Sequence, residues 1–161
     1  MSDNDEVLFI FVKGHKGRGG FVITNANCEF IFEDTVENLV DDKGLPLWPV
    51  HTDWKTINSS LEYVKNNKGS GNLPSDPTVC VFTSYENAYH ILSGQKDINE
   101  SKKFEVYFNE TQDLIKDLHR TKITNKTDDN IKFLWIPEGF VNRMPEVVKL
   151  LNNSKNKLKP N

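Results

Sequence analysis

Two stretches of this chain can be laid on each other without a gap, and that pairing constrains the fold more than any other feature. The first is Leu45-Pro46-Leu47-Trp48-Pro49-Val50-His51-Thr52-Asp53-Trp54-Lys55-Thr56-Ile57. The second is Val79-Cys80-Val81-Phe82-Thr83-Ser84-Tyr85-Glu86-Asn87-Ala88-Tyr89-His90-Ile91. Apolar residues fall at matched places: Leu45 and Val79, Leu47 and Val81, Trp48 and Phe82, Trp54 and Ala88, Ile57 and Ile91. Each copy reads as a short buried strand running into an amphipathic helix. In the first, Val50, Trp54, Ile57, Leu61 and Val64 mark one helical face. Pro49 fits the first turn of that helix.

The rest of the chain extends this pattern. Val7-Leu8-Phe9-Ile10-Phe11-Val12 is an unbroken apolar run of strand formers and predicts a central strand. Residues 13–20 carry Gly14, Gly17, Gly19 and Gly20 and predict a tight, mobile loop. Residues 21–24 and 28–33 predict two further strands joined at Asn25-Ala26-Asn27. Thr83-Ser84-Tyr85-Glu86 has the form of a capping box. Phe104, Val106 and Phe108 alternate as in a half-buried strand, ahead of a helix carrying Leu114, Ile115 and Leu118. Residues 131–136 predict another buried strand, and residues 143–151 a last helix. Strands alternating with helices after an N-terminal hairpin give an α/β (or α+β) class. The expected architecture is a single-domain mixed sheet with about four packed helices over residues 1–151. Residues 152–161 read as a disordered polar tail.

A chain of 161 residues buries a sizeable core without disulfides or metals. Its formal net charge of −3 exerts no global pull toward nucleic acid. Cys28 and Cys80 sit inside apolar runs and read as small core residues or free thiols. The acidic start Met1-Ser2-Asp3-Asn4-Asp5-Glu6 lacks the form of a signal peptide, and no apolar run reaches membrane length. A cytoplasmic location, with no membrane partner, is the expectation.

At residues 45–57 and 79–91 the chain resembles SseB-type small bacterial proteins and a related bacterial family of unknown function with a Leu-Pro-x-Trp-Pro element. Gly20-Phe21-Val22-Ile23, Leu45-Pro46-Leu47-Trp48-Pro49 and Trp54 carry the likeness to the latter. Val81-Phe82-Thr83-Ser84, Ala88 and Ile136-Pro137 carry the likeness to the former. The resemblance implies a non-enzymatic accessory or protective module of bacterial or phage origin, and it implies no catalytic residues.

No catalytic motif stands out in the sequence. His15, His51, His90 and His119 form no metal-binding pair at helical spacing, and His51 and Asp53, two apart, would point to different helix faces. No serine lies in a Gly-x-Ser-x-Gly setting. The expectation is therefore no catalytic residues, no metal and no cofactor. Two surfaces remain as candidates. Lys13, His15, Lys16 and Arg18 in the glycine-rich stretch offer cations and backbone N–H groups to phosphate. This stretch faintly resembles the KOW element of nucleic-acid-binding proteins, one residue short of its usual spacing. Glu33, Asp34, Glu37, Asp41 and Asp42, with Trp54 as an anchor, offer an acidic face to a basic protein partner. Trp48 and Trp135 read as core residues. The first expectation is a non-enzymatic interaction protein of immunity, accessory or regulatory type that binds another protein. The alternative is a nucleic-acid-binding protein using residues 13–20.

Overall fold

The structure is a computed structural model and describes residues 7–27, 29–71, 73–83, 85–119 and 131–135. Five strands form one mixed sheet: β1 (Val7–His15), β2 (Arg18–Asn25), β3 (Phe30–Val36), β4 (Thr78–Thr83) and β5 (Ile131–Trp135). Their order across the sheet is β3-β2-β1-β4-β5. β1, β2 and β3 are an antiparallel meander, whereas β4 and β5 run parallel to β1. Parallel neighbours need a crossover. Helix α1 (Pro49–Asn67) precedes β4, and α2 (Glu86–Leu92), a 3-10 segment (Ile98–Phe104) and α3 (Glu105–His119) precede β5. The α/β expectation holds, with three α-helices among the described residues. The expected helix at 143–151 and the tail at 152–161 lie outside them.

The core forms between one face of the sheet and α1. Leu8, Ile10 and Val12 of β1 alternate inward and meet Phe21 and Ile23 of β2 and Val79 and Val81 of β4. Trp54, Ile57, Leu61 and Val64 of α1 complete this layer, as the helical spacing predicts. The alternate residues Phe9, Phe11 and Phe82 make a second aromatic group, with the rings of Phe11 and Phe82 stacked at 4.9 Å.

Several sequence expectations need correction. Residues 45–48 form no sheet strand. Prolines at 46 and 49 withhold two of the N–H groups a ladder requires, and the stretch makes one isolated bridge, between Val40 and Pro46. Trp48, expected in the core, is 70% exposed, and Trp135 is 39% exposed. The alternation over residues 103–108 belongs to a helix. Phe104, Thr111, Leu114 and Leu118 are buried at helical spacing, while Val106 faces solvent. The capping box forms only in part: the Thr83 hydroxyl accepts from Tyr85 N–H at 3.1 Å, but the N-cap of α2 is Tyr85, and Glu86 pairs with His90 at 3.1 Å instead of reaching back. Cys80 is a half-buried free thiol whose pKa burial pushes up; Cys28 lies outside the described residues. No helix among the described residues is long and apolar enough to cross a membrane.

Candidate functional site

The glycine-rich stretch is not a mobile loop. β1 continues through His15 and β2 begins at Arg18, so only Lys16 and Gly17 make the turn. Gly17 takes φ 73°, a region that favours glycine. Its N–H donates to Leu47 O at 2.9 Å, and its carbonyl accepts from Leu39 N–H at 3.0 Å. The turn is thereby sewn to the segment that enters α1.

The other glycines serve close approach. A Cβ on Gly14 would lie 2.6 Å from the backbone nitrogen of Asp53, and one on Gly19 would overlap the Thr56 hydroxyl. The bare backbone lets α1 lie directly on the hairpin. Gly14 N–H donates to Asp53 Oδ1 at 2.8 Å in a buried bond. A carboxylate placed at this depth needs such a donor. Burial is the main cause that raises the pKa of the Tyr85 hydroxyl; its bond with Asn87 works against this, and the charge of Asp53 adds to it. Asp53 and Tyr85 therefore stand near one another where β1 and β4 both reach their carboxyl ends. That end of parallel strands is the general location of ligand sites in such sheets.

Next to this point, His51 packs its ring 5.0 Å from Phe104 and 5.7 Å from Tyr107. Burial, and then the charge of Lys103, hold its pKa below the usual histidine value. His51 Nδ1 is buried without a hydrogen-bond partner. Nothing in the local sequence shows that Phe104 and Tyr107, some fifty residues on, close over it.

The two predicted residue sets fare differently. In the basic set, strand alternation sends Lys13 and Arg18 to the sheet face away from α1, because Gly14 and Gly19 face the helix. Lys16 instead leans over the exposed ring of Trp48, 5.9 Å from its centroid. For His15, only its place at the end of β1 is described. In the acidic set, Glu33 and Asp34 are successive residues on β3 and point to opposite faces. Glu37 and Asp42 are exposed, and Asp41 accepts from Lys43 N–H and Leu45 N–H within its own turn. Trp54 is fully buried and stacks near Phe104 at 6.1 Å. It cannot anchor a partner, so the acidic face is left without its expected centre.

A divalent-metal centre takes several converging oxygen ligands. Among the described residues, no group of three or more His, Cys, Asp or Glu side chains is placed to hold an ion. One oxygen of Asp53 is already engaged by Gly14. The described residues do not fit such a centre, and no chemical step is routed through one.

The strand order, the meander followed by parallel strands and the crossover helix together define an RNase H-like fold. Solved structures bear this out. LC11-RNase H1 in complex with an RNA/DNA hybrid matches at a TM-score of 0.60 and 15% identity, over 89% of this chain and 99% of the other. RNase H1 from Halobacterium salinarum matches at 0.56 and 11% identity, over 91% and 98%. The N-terminal RNase H domain of a Mycobacterium tuberculosis protein matches at 0.55 and 10% identity, over 89% and 99%. No protein-family model and no curated protein sequence matches the chain.

These likenesses overturn the expectation of a non-enzymatic protein that acts by binding another protein. The neighbours are RNase H domains, one of them held on an RNA/DNA hybrid, and the ground for reading the chain as a protein-blocking module or a non-enzyme is gone. They carry nothing for the SseB-type resemblance. The Leu-Pro-Leu-Trp-Pro element, which carries the likeness to the related family, lies outside the sheet, with Leu45 and Trp48 exposed.

Proposed function

We propose that this protein acts on nucleic acid and that its preferred ligand is a duplex of the RNA/DNA hybrid kind. The observation that carries the reading is the RNase H-like topology, matched over 89% of this chain by a structure bound to such a hybrid. The basic turn adds support. Lys13, Lys16 and Arg18 stand on and beside the β1–β2 hairpin, at the end of the sheet where β1 and β4 finish. Cations there neutralise phosphates, and the hairpin fixed on α1 holds them in place.

The test is fluorescence anisotropy of the full chain with labelled blunt RNA/DNA hybrid, double-stranded DNA and double-stranded RNA across a salt series. The hybrid should bind most tightly. Replacing Lys13, Lys16 and Arg18 together by Ala should weaken binding and flatten the dependence on log salt by roughly 0.9 for each phosphate no longer neutralised. A denaturing gel of the same mixtures with Mg2+ or Mn2+ reads strand cleavage. Absence of binding to all three duplexes at low salt would overturn the reading.

A further inference from the structure

A row of cations and rings runs along one side of α1; it shares Lys16 with the basic hairpin, and Phe104 lies buried beneath it. Trp48, His51 and Lys55 are spaced three and four residues apart, which puts them on one helical face. Lys16 lies 5.9 Å from the Trp48 ring centroid, Lys55 5.7 Å from that of Tyr107, and Lys103 5.0 Å from that of Phe104. His51 sits between the last two rings. These three cation–ring pairs thus lie along one track.

The acidic side chains nearby do not interrupt it. Asp53 is turned inward to Gly14 N–H. Glu110 borders Tyr107, whose hydroxyl pKa it raises after burial, and marks the end toward α3. From Trp48 to Lys55 the helix advances about 10 Å. That is room for roughly three stacked nucleotides at ~3.4 Å each. Interleaved aromatic rings and lysines are what a single strand needs: a base stacks on a ring and its phosphate meets a cation. Trp48 offers its ring for this, at 70% exposure. An exposed tryptophan of this kind contributes nothing to the core that would otherwise explain it.

We propose that this stripe is a binding track for a single-stranded nucleic-acid segment, with Trp48 as the base-stacking platform and Lys55 and Lys103 as phosphate contacts. The proposal rests on the nucleic-acid reading above and extends it to a strand that continues beyond the duplex.

The experiment uses the full chain, Trp48→Ala, and the pair Lys55→Gln with Lys103→Gln. Ligands are a 12-nucleotide single strand as DNA and as RNA, a blunt hybrid, and the same hybrid with a single-stranded overhang. All the substituted residues are half-buried or exposed, and circular dichroism checks that each variant folds. Trp48→Ala should weaken binding to the single strand and the overhang about tenfold, the size of one base stack. Its affinity for the blunt hybrid should stay within about twofold of wild type. The double lysine variant should flatten the salt dependence for the single strand by roughly 0.7 per lysine. Comparison of the DNA and RNA strands tells which one the track takes.

Single-strand affinity unchanged in both variants would overturn the track, whatever the blunt hybrid does. So would a wild-type protein that binds blunt hybrid but neither the single strand nor the overhang. Single-strand binding that depends on Trp48, with no affinity for any duplex, would uphold the track and sink the hybrid reading. Failure to bind any ligand would sink both.

Discussion

The backbone N–H of Gly14 donates to Oδ1 of Asp53 at 2.8 Å, joining residues 39 positions apart. This bond ties the end of β1 to the start of α1 and places a buried carboxylate at the carboxyl end of the central strand. It sits where a Cβ would not fit. Gly14→Ala should therefore cost about 1–3 kcal/mol through overpacking. Asp53→Ala should cost a similar ~1–3 kcal/mol by leaving the Gly14 donor unsatisfied. Asp53→Asn keeps an acceptor and should cost less than Asp53→Ala. Urea unfolding midpoints check the order, and equal losses for the Asn and Ala variants would show that the bond is not what matters.

Gly19 and Thr56 make the second contact between hairpin and helix. A methyl group at position 19 would overlap the Thr56 hydroxyl, which also donates to Thr52 O at 2.7 Å. Gly19→Ala should destabilise. Combining it with Thr56→Ala should restore part of the stability, because the second change removes the atom in conflict. A double-mutant cycle should show coupling of about 0.5–3 kcal/mol, the range for residues that touch. Strict additivity would place the clash elsewhere.

The tryptophans separate by environment. Trp54 is buried and Trp48 is exposed. Iodide should quench the Trp48 component of the emission and leave that of Trp54 nearly untouched. Trp48→Ala should change stability by no more than about 0.5 kcal/mol, whereas Trp54→Ala should cost ~3–5 kcal/mol. A large stability loss for Trp48→Ala would mean that the ring packs against the fold.

His51 gives a pH dependence with a definite sign. Burial first, and Lys103 second, lower its pKa in the folded protein from the ordinary value of 6.5. The unfolded chain then binds a proton more readily, so this group's contribution falls as pH drops below 6.5 toward the lowered folded value. Stability at neutral pH should exceed that at pH 5 by more in wild type than in His51→Gln. Parallel curves for the two proteins would show that His51 titrates normally.

How much of this was legible in the chain depends on the element. The β1 run, the 50–54–57–61–64 face of α1 and the β4 run were clear because local periodicity and burial agree there. Residues 45–48 and 103–108 misled for opposite reasons. Apolar content at 45–48 belongs to an exposed, proline-bounded segment, and a short alternation at 103–108 is also the start of a longer helical repeat. The glycines of 13–20 suggested mobility, since sequence records the missing side chain and not the helix that takes its place.

By itself the sequence determined which residues must leave water, and with them the α/β class and the central strands. It also placed cations in and around the β1–β2 turn. Only the tertiary structure decided the strand order, the burial of Trp54 and the exposure of Trp48. It alone brought Asp53 to Gly14, His51 to Phe104 and Tyr107, Lys16 to Trp48 and Lys55 to Tyr107. The reason is physical. Periodicity is a property of neighbours along the chain, whereas these interactions join residues far apart in it. Their partners are chosen by how α1 and α3 pack, which no local pattern encodes.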